Sequence, residues 1–181
     1  MIVTERLELV PATLELTRAA LESREALQAS VCASVPTAWP PEYLDPASLE
    51  FTLARLAESP DQAGWWLHFV VLSAGEVGRT LIGSAGYRGP PSAAGAVEVG
   101  YGIVRGYQRR GYASETVRGL LRHAFAFPTV RCVIAETLPE LAASIGVLQK
   151  CGFRLTGDGS EPGVIRFELT RAQYATADGA A

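Results

Sequence analysis

The chain has 181 residues, 48% of them apolar and 19% charged, a balance that fits a globular domain and excludes a disordered or membrane-embedded one. Sixteen Lys and Arg against nineteen Asp and Glu leave a formal charge of −3, so any basic site must be local, and no nucleic-acid or membrane partner is expected. Three widely spaced cysteines, Cys32, Cys132 and Cys151, form neither a metal pattern nor a disulfide framework, which favours a reducing compartment such as the cytoplasm.

Residues 2–10 alternate as a strand, with Leu7 and Leu9 on one face, and Pro11 ends it. With a strand read from the first residues no signal peptide is expected, and the longest apolar run, 65–72, is too short to span a bilayer. Residues 13–29 predict a single helix with Thr13 as its N-cap and Leu14, Leu21 and Leu27 inward. Residues 31–46 are proline-rich and carry Trp39 and Tyr43, so they cannot form one regular element. Long irregular segments over a scaffold often carry function, and substrate selection is assigned here. A second helix is expected over 46–58, with Leu49, Leu53 and Leu56 inward, followed by a polar turn at 59–64.

Three strands then follow at 65–72, 80–88 and 97–104, an antiparallel meander joined through 73–79 and the turn-rich GPPSAAG. In the third, Val97, Val99, Tyr101 and Ile103 share one face, and Glu98, Gly100, Gly102 and Val104 the other. One carboxylate thus lies beside two positions without side chains, a pattern that often marks close approach by a ligand. The turn at 105–110 is basic, and Gly111-Tyr112-Ala113 opens a helix whose apolar face is Val117, Leu120, Leu121, Ala124 and Phe125. A strand leading through such a turn into a helix N-terminus makes an anion site, because the first helix amides are unpaired and the dipole is positive there.

Pro128 and Thr129 break that helix, and 130–137 reads as a buried strand. A last helix begins at Pro139 and Glu140 and runs over 141–150, with Lys150 in its final turn and Gly152 as its stop. Residues 153–156 and 164–169 make a closing hairpin, and the tail 175–181 is expected to fray. The helix between strands 97–104 and 130–137 makes those two parallel neighbours, which gives a single α+β domain over 1–174.

Four segments resemble the GCN5-related N-acetyltransferase (GNAT) superfamily, and within it the ribosomal-protein-alanine acetyltransferase-like branch. They are TERLEL at 4–9, EVGYGI at 98–103, QRRGYA at 108–113 with Glu115 after it, and SIGVLQKCGF at 144–153. The resemblance covers nearly the whole chain, and four motifs in order carry far more weight than the short turn alone. It implies an acyl-CoA N-acyltransferase fold: a mixed, mostly antiparallel sheet with a splayed parallel pair, flanked by helices. It further implies transfer of the acetyl group of acetyl-CoA to a primary amine by direct attack in a ternary complex, without a metal. The acceptor classes are a protein N-terminus, an amino acid, a polyamine or another small amine. A homodimer is common in that branch.

The resemblance assigns the diphosphate of acetyl-CoA to the turn Gln108, Arg109, Arg110, Gly111, Tyr112 and Ala113, with Ser114 in the first helical turn. It lays the pantetheine arm along Ile103 and Val104, with Leu141 and Ser144 on the far side. Leu141 stands where the family usually has asparagine. Glu98 is the candidate general base: an alkyl amine has a pKa near ~10, so about one molecule in a thousand is nucleophilic at neutral pH. Ser144 is the candidate acid toward the leaving thiolate, because Leu148 occupies the place of the tyrosine found in many relatives. Thr156 replaces a glutamate proposed as base in ribosomal-protein acetyltransferases, which shifts weight to Glu98. Trp39, Tyr43, Trp65 and Trp66 read as core or lid packing, and His68 and His123 as structural. A rival of another class is an acyl-CoA-sensing module without turnover. Nucleotide phosphate chemistry is disfavoured, because no Walker lysine accompanies the glycine turn.

Overall fold

The computed structural model describes residues 1–75 and 78–178. One eight-stranded sheet organises the chain: β1 (Ile2–Val3), β2 (Leu7–Pro11), β3 (Leu67–Gly75), β4 (Gly78–Tyr87), β5 (Ala96–Ile103), β6 (Cys132–Thr137), β7 (Arg154–Asp158) and β8 (Ile165–Thr170). Their order across the sheet is β1-β2-β3-β4-β5-β6-β8-β7. Between these strands, among the described residues, every pairing is antiparallel except β5 with β6, so the sheet is mixed, as the sequence predicts.

The helices divide between the two faces. On one, α4 (Tyr112–Phe125) and α5 (Ala142–Lys150) cover a core of Leu7, Leu9, Val70, Val97, Val99, Ile103, Leu120 and Phe167. On the other, α1 (Leu14–Glu22), α2 (Arg24–Val31) and α3 (Pro46–Glu58) cover Phe69, Val71 and Leu81. Val70 and Val71 thus point to opposite cores, the two-residue period of a strand buried on both faces. In α4, Val117, Leu120, Leu121 and Ala124 are at most 1% exposed, and each larger side chain there contributes roughly 1.5–3 kcal/mol by its burial. No helix among the described residues is long and apolar enough to cross a membrane.

Several sequence expectations are corrected. The opening strand is two strands, because Thr4 N–H donates to Leu7 C=O at 2.9 Å and closes a turn without glycine or proline. The helix expected over 13–29 breaks at Ser23, whose extended backbone ends α1 and whose hydroxyl accepts the Ala26 amide to cap α2. Leu14 and Leu21 are consequently only partly buried, while Leu16 and Leu27 enter the core. Pro139 and Glu140 form a turn, and the following helix starts at Ala142. The tail does not fray directly after Tyr174: α6 (Arg171–Asp178) continues through it, and residues 179–181 lie outside the described ones. The connector expected at 73–79 is largely strand, with 76 and 77 outside the described residues.

Candidate active site

The site begins where β5 and β6 part. Their parallel register holds for Ala96↔Cys132, Val97↔Val133 and Glu98↔Ile134, and then stops. Both strands continue, β5 to Ile103 and β6 to Thr137, but each pairs only with its outer neighbour there, β4 or β8. A slot therefore opens between the strands from Val99 onward. Backbone direction along β5 alternates. Arg88 N–H donates to Glu98 C=O at 2.9 Å, and Val104 N–H to Ile82 C=O at 2.8 Å, so even-numbered residues turn their backbone polar groups to β4. Val99, Tyr101 and Ile103 turn theirs to the slot.

This alternation redirects the reading of Ile103 and Val104. The Val104 amide is occupied by β4, and its carbonyl accepts the Tyr107 amide at 2.8 Å. Gln108 Nε2 donates to the Ile103 carbonyl at 2.8 Å, so the Gln108 side chain braces the strand end. Its backbone amide donates to Arg105 C=O at 3.3 Å. The polar edge that remains along the slot is Val99, Tyr101 and the Ile103 amide. Tyr101 went unnoticed in the sequence as a backbone partner, because side-chain alternation draws attention to the Glu98 face instead.

At the end of the slot the chain turns into α4. Arg109 has φ +61 and Gly111 has φ +86, two left-handed residues flanking Arg110. Gly111 is the N-cap of α4, supplies no side-chain cap, and adopts a conformation that disfavours any residue with a Cβ. Among the described residues, the amides of Gly111, Tyr112, Ala113 and Ser114 have no hydrogen-bond acceptor, and Arg109 and Arg110 are exposed beside them. Four such amides, the helix dipole and two guanidinium groups are chemically able to hold a multiply charged anion. From Gly111 a cavity of about 410 Å3 runs along α4, lined by Arg6, Arg118, Arg122 and Lys150 among others. Ser114 itself is buried, and its carbonyl accepts from Cys151 Sγ at 3.6 Å.

The two candidate proton carriers lie on opposite faces of the sheet. Ser144, in the first turn of α5, meets Tyr101 on the face covered by α4 and α5, where the Tyr101 hydroxyl is 3.2 Å from the Ser144 carbonyl and 3.3 Å from its Oγ. Burial pushes the Tyr101 hydroxyl up to about 12, so it stays protonated and able to donate. Glu98 lies on the other face, half-buried, with Arg88 Nε 3.0 Å from its carboxylate. Burial lifts the Glu98 carboxyl above its ordinary value; Arg88 opposes this, and Glu136 adds to it. Beside it Gly100 is exposed with open space above it, while Gly102 is roofed by Pro41 Cβ at 3.3 Å and Glu42 O at 3.2 Å from where a side chain would start. The irregular 31–46 segment therefore closes over the end of this lane, and Tyr43 is 71% exposed at its rim.

Leu141 is the N-cap of α5 and makes no side-chain cap bond, so the cap position itself offers no polar side chain. Leu148 is 1% exposed, a core residue with no proton to give. Thr156 donates to the Arg166 carbonyl on the outer β7–β8 hairpin. Trp39 packs on Phe69, Trp66 on Phe51, and Trp65 joins Tyr87, His123 and Phe127, all of which are packing roles.

A mixed sheet whose one parallel pair splays beside a capless, basic helix N-terminus is an arrangement with room for an extended ligand that ends in an anion. Residues 6–154 match the family described as acetyltransferase (GNAT) domain, and the chain belongs to that family. It is 28% identical over 81 residues to the uncharacterised N-acetyltransferase YjdG of Bacillus subtilis (strain 168), a match that covers 45% of this chain and 48% of that protein. The chain spans roughly half the length of the curated relatives it matches, 48% of one and 58% of another. Among solved structures, the acetyltransferase from Agrobacterium tumefaciens str. C58 superposes with a TM-score of 0.63 at 22% identity, covering 94% of each chain. The ribosomal L7/L12 α-N-protein acetyltransferase RimL, solved with coenzyme A, superposes with a TM-score of 0.66 at 16% identity, covering 93% of this chain and 96% of that one. At these identities the likeness is one of fold.

Proposed function

We propose that the chain is an N-acetyltransferase that moves the acetyl group of acetyl-CoA onto a primary amine by direct attack in a ternary complex. The observation that carries this reading is the end of β5–β6 pairing after Glu98, in line with the four unpaired amides at the start of α4. The diphosphate lies on the amides of Gly111, Tyr112, Ala113 and Ser114, with Arg109 and Arg110 supplying charge. The pantetheine amides pair with the slot-facing edge of Val99, Tyr101 and Ile103 as a short added strand. Leu141 bounds the arm on the α5 side as an apolar wall.

The placement of Glu98 and Ser144 gives the reaction a direction. The amine enters over Gly100 on the Glu98 face, and the thiol leaves toward the α4–α5 face, where Tyr101 and Ser144 hold hydroxyls together. Glu98, its basicity raised by burial, takes the ammonium proton directly or through a water. Ser144, backed by the permanently protonated Tyr101, donates toward the departing sulfur. Three free cysteines suit a cytoplasmic setting.

A second reading, an acyl-CoA-sensing module, draws on the apolar Leu141 and the buried Leu148 of α5. Thiol release from acetyl-CoA, measured over a panel of peptide N-termini, amino acids and polyamines, separates the two. Amine-dependent release is expected. Tight acetyl-CoA binding with no release under any amine would favour the sensor.

A further inference from the structure

We propose that Arg6, on the turn between β1 and β2, is a positioning residue for the diphosphate site: it aims the Gly111 amide at the ligand. This inference rests on the proposed use of the α4 turn and assigns a role to a residue more than 100 positions away in sequence.

Arg6 reaches three successive residues of that turn. Its Nη1 donates to the Arg110 carbonyl at 3.2 Å, its Nη2 lies 3.3 Å from where a Gly111 side chain would begin, and its guanidinium lies 4.6 Å from the Tyr112 ring centroid. The guanidinium is itself fixed by Glu115, with Nε and Nη2 at 2.7 and 2.6 Å from Oε2. Glu115 Oε1 accepts in addition the Arg6 amide at 2.8 Å and the Thr4 hydroxyl at 2.6 Å. Burial pulls the Glu115 carboxyl upward, but hydrogen bonds from Thr4 and Arg6, with the Arg6 charge, hold it below the usual carboxylate range.

The geometric consequence follows from the planarity of one peptide group. The Arg110 carbonyl and the Gly111 N–H belong to the same trans unit and point in opposite directions. Holding that carbonyl toward Arg6 therefore holds the N–H away from it, toward the side on which the following unpaired amides gather. Gly111 has no side chain to resist rotation of this unit, and its φ of +86 lies where glycine is conformationally free. Without Arg6 the peptide can flip and present its carbonyl to a dianionic ligand. Glu115 balances the Arg6 charge, so the device acts through orientation rather than by adding field.

Two acyl donors separate orientation from mere support of the fold. Arg6→Ala should raise KM for acetyl-CoA about tenfold or more with kcat nearly unchanged, because one donor to a charged group is lost or misaimed. With S-acetyl-pantetheine, which has the thioester but no diphosphate, kcat/KM should stay at the wild-type value. Equal losses for both donors, or no loss for either, would overturn the inference. Should the alanine variant fail to fold, Glu115→Gln, which loosens the Arg6 guanidinium but leaves the turn intact, should show the same donor-selective loss at smaller size. If the wild-type protein transfers no acetyl group, the enzyme reading fails by itself. Calorimetry with coenzyme A and pantetheine then reads the same selectivity from binding, and selectivity equal to wild type in Arg6→Ala would still refute the role of Arg6.

Discussion

Along its β4 edge, strand β5 stays registered from Val99 to Ile103; along its β6 edge, pairing has already ended at Glu98. The sealed edge joins β5 to a block in which β3 and β4 are buried on both faces between two helix-covered cores. The open edge leaves slot-facing backbone groups, a half-buried carboxylate and a capless helix end close together. An unpaired buried polar group costs free energy wherever it occurs, so a chain tolerates such a row only where something else can satisfy it. Pairing and burial are concentrated on one side of β5, and unpaired polar groups on the other.

Replacements on the two sides should then fail in different ways. The largest expected effect is on the open side: Glu98→Gln should lower kcat by about 100-fold, the size typical of losing a general base. Because burial raises the Glu98 carboxyl, the wild-type kcat/KM should fall as pH drops through a value above the ordinary carboxylate range, and the variant should lack that acid limb. Thermal stability should barely change, since the partner Arg88 is 73% exposed and such pairs contribute little. Wild-type kinetics in this variant would clear Glu98 of the role.

The converse effect, on stability rather than rate, is expected on the sealed side. His68 on β3 is 1% exposed, its ring nitrogen lies 3.2 Å from Trp66 C=O, and burial depresses its pKa to about 4. The unfolded chain takes up this proton near the ordinary histidine value, whereas the folded protein does not. Stability is therefore full above about pH 6.5 and declines as pH falls toward 4, by roughly 3 kcal/mol over the whole interval. Chemical denaturation at pH 7 and at pH 4.5 measures it. His68→Leu should flatten this dependence without moving the acid limb of kcat/KM set by Glu98. An unchanged pH dependence of stability in that variant would place the titration elsewhere.

What the sequence revealed followed the same division. The meander, the crossover helix and the basic glycine turn were legible because alternation, helical spacing and glycine each have a local physical cause. Glu98 stood out by lying in a lane with Gly100 and Gly102. The turn at Thr4 and the break at Ser23 were not legible. Polar residues that fit strand alternation can also fold back, and a serine can continue a helix or cap a new one. The parts proposed for Arg6, Tyr101 and Arg88 were not legible, because they rest on contacts across the fold: Arg6 with Arg110 and Glu115, Tyr101 with Ser144, Arg88 with Glu98. Val104 was misjudged because the direction of a backbone amide depends on which neighbour the strand pairs with, here Ile82.

The structure of the protein with coenzyme A bound tests the central claim most directly. The account predicts diphosphate oxygens on the amides of Gly111 to Ser114 and pantetheine hydrogen-bonded along Val99, Tyr101 and Ile103, with its thiol between Glu98 and Ser144. Coenzyme A seated away from the slot, or β5 and β6 paired past Glu98 in the complex, would contradict it.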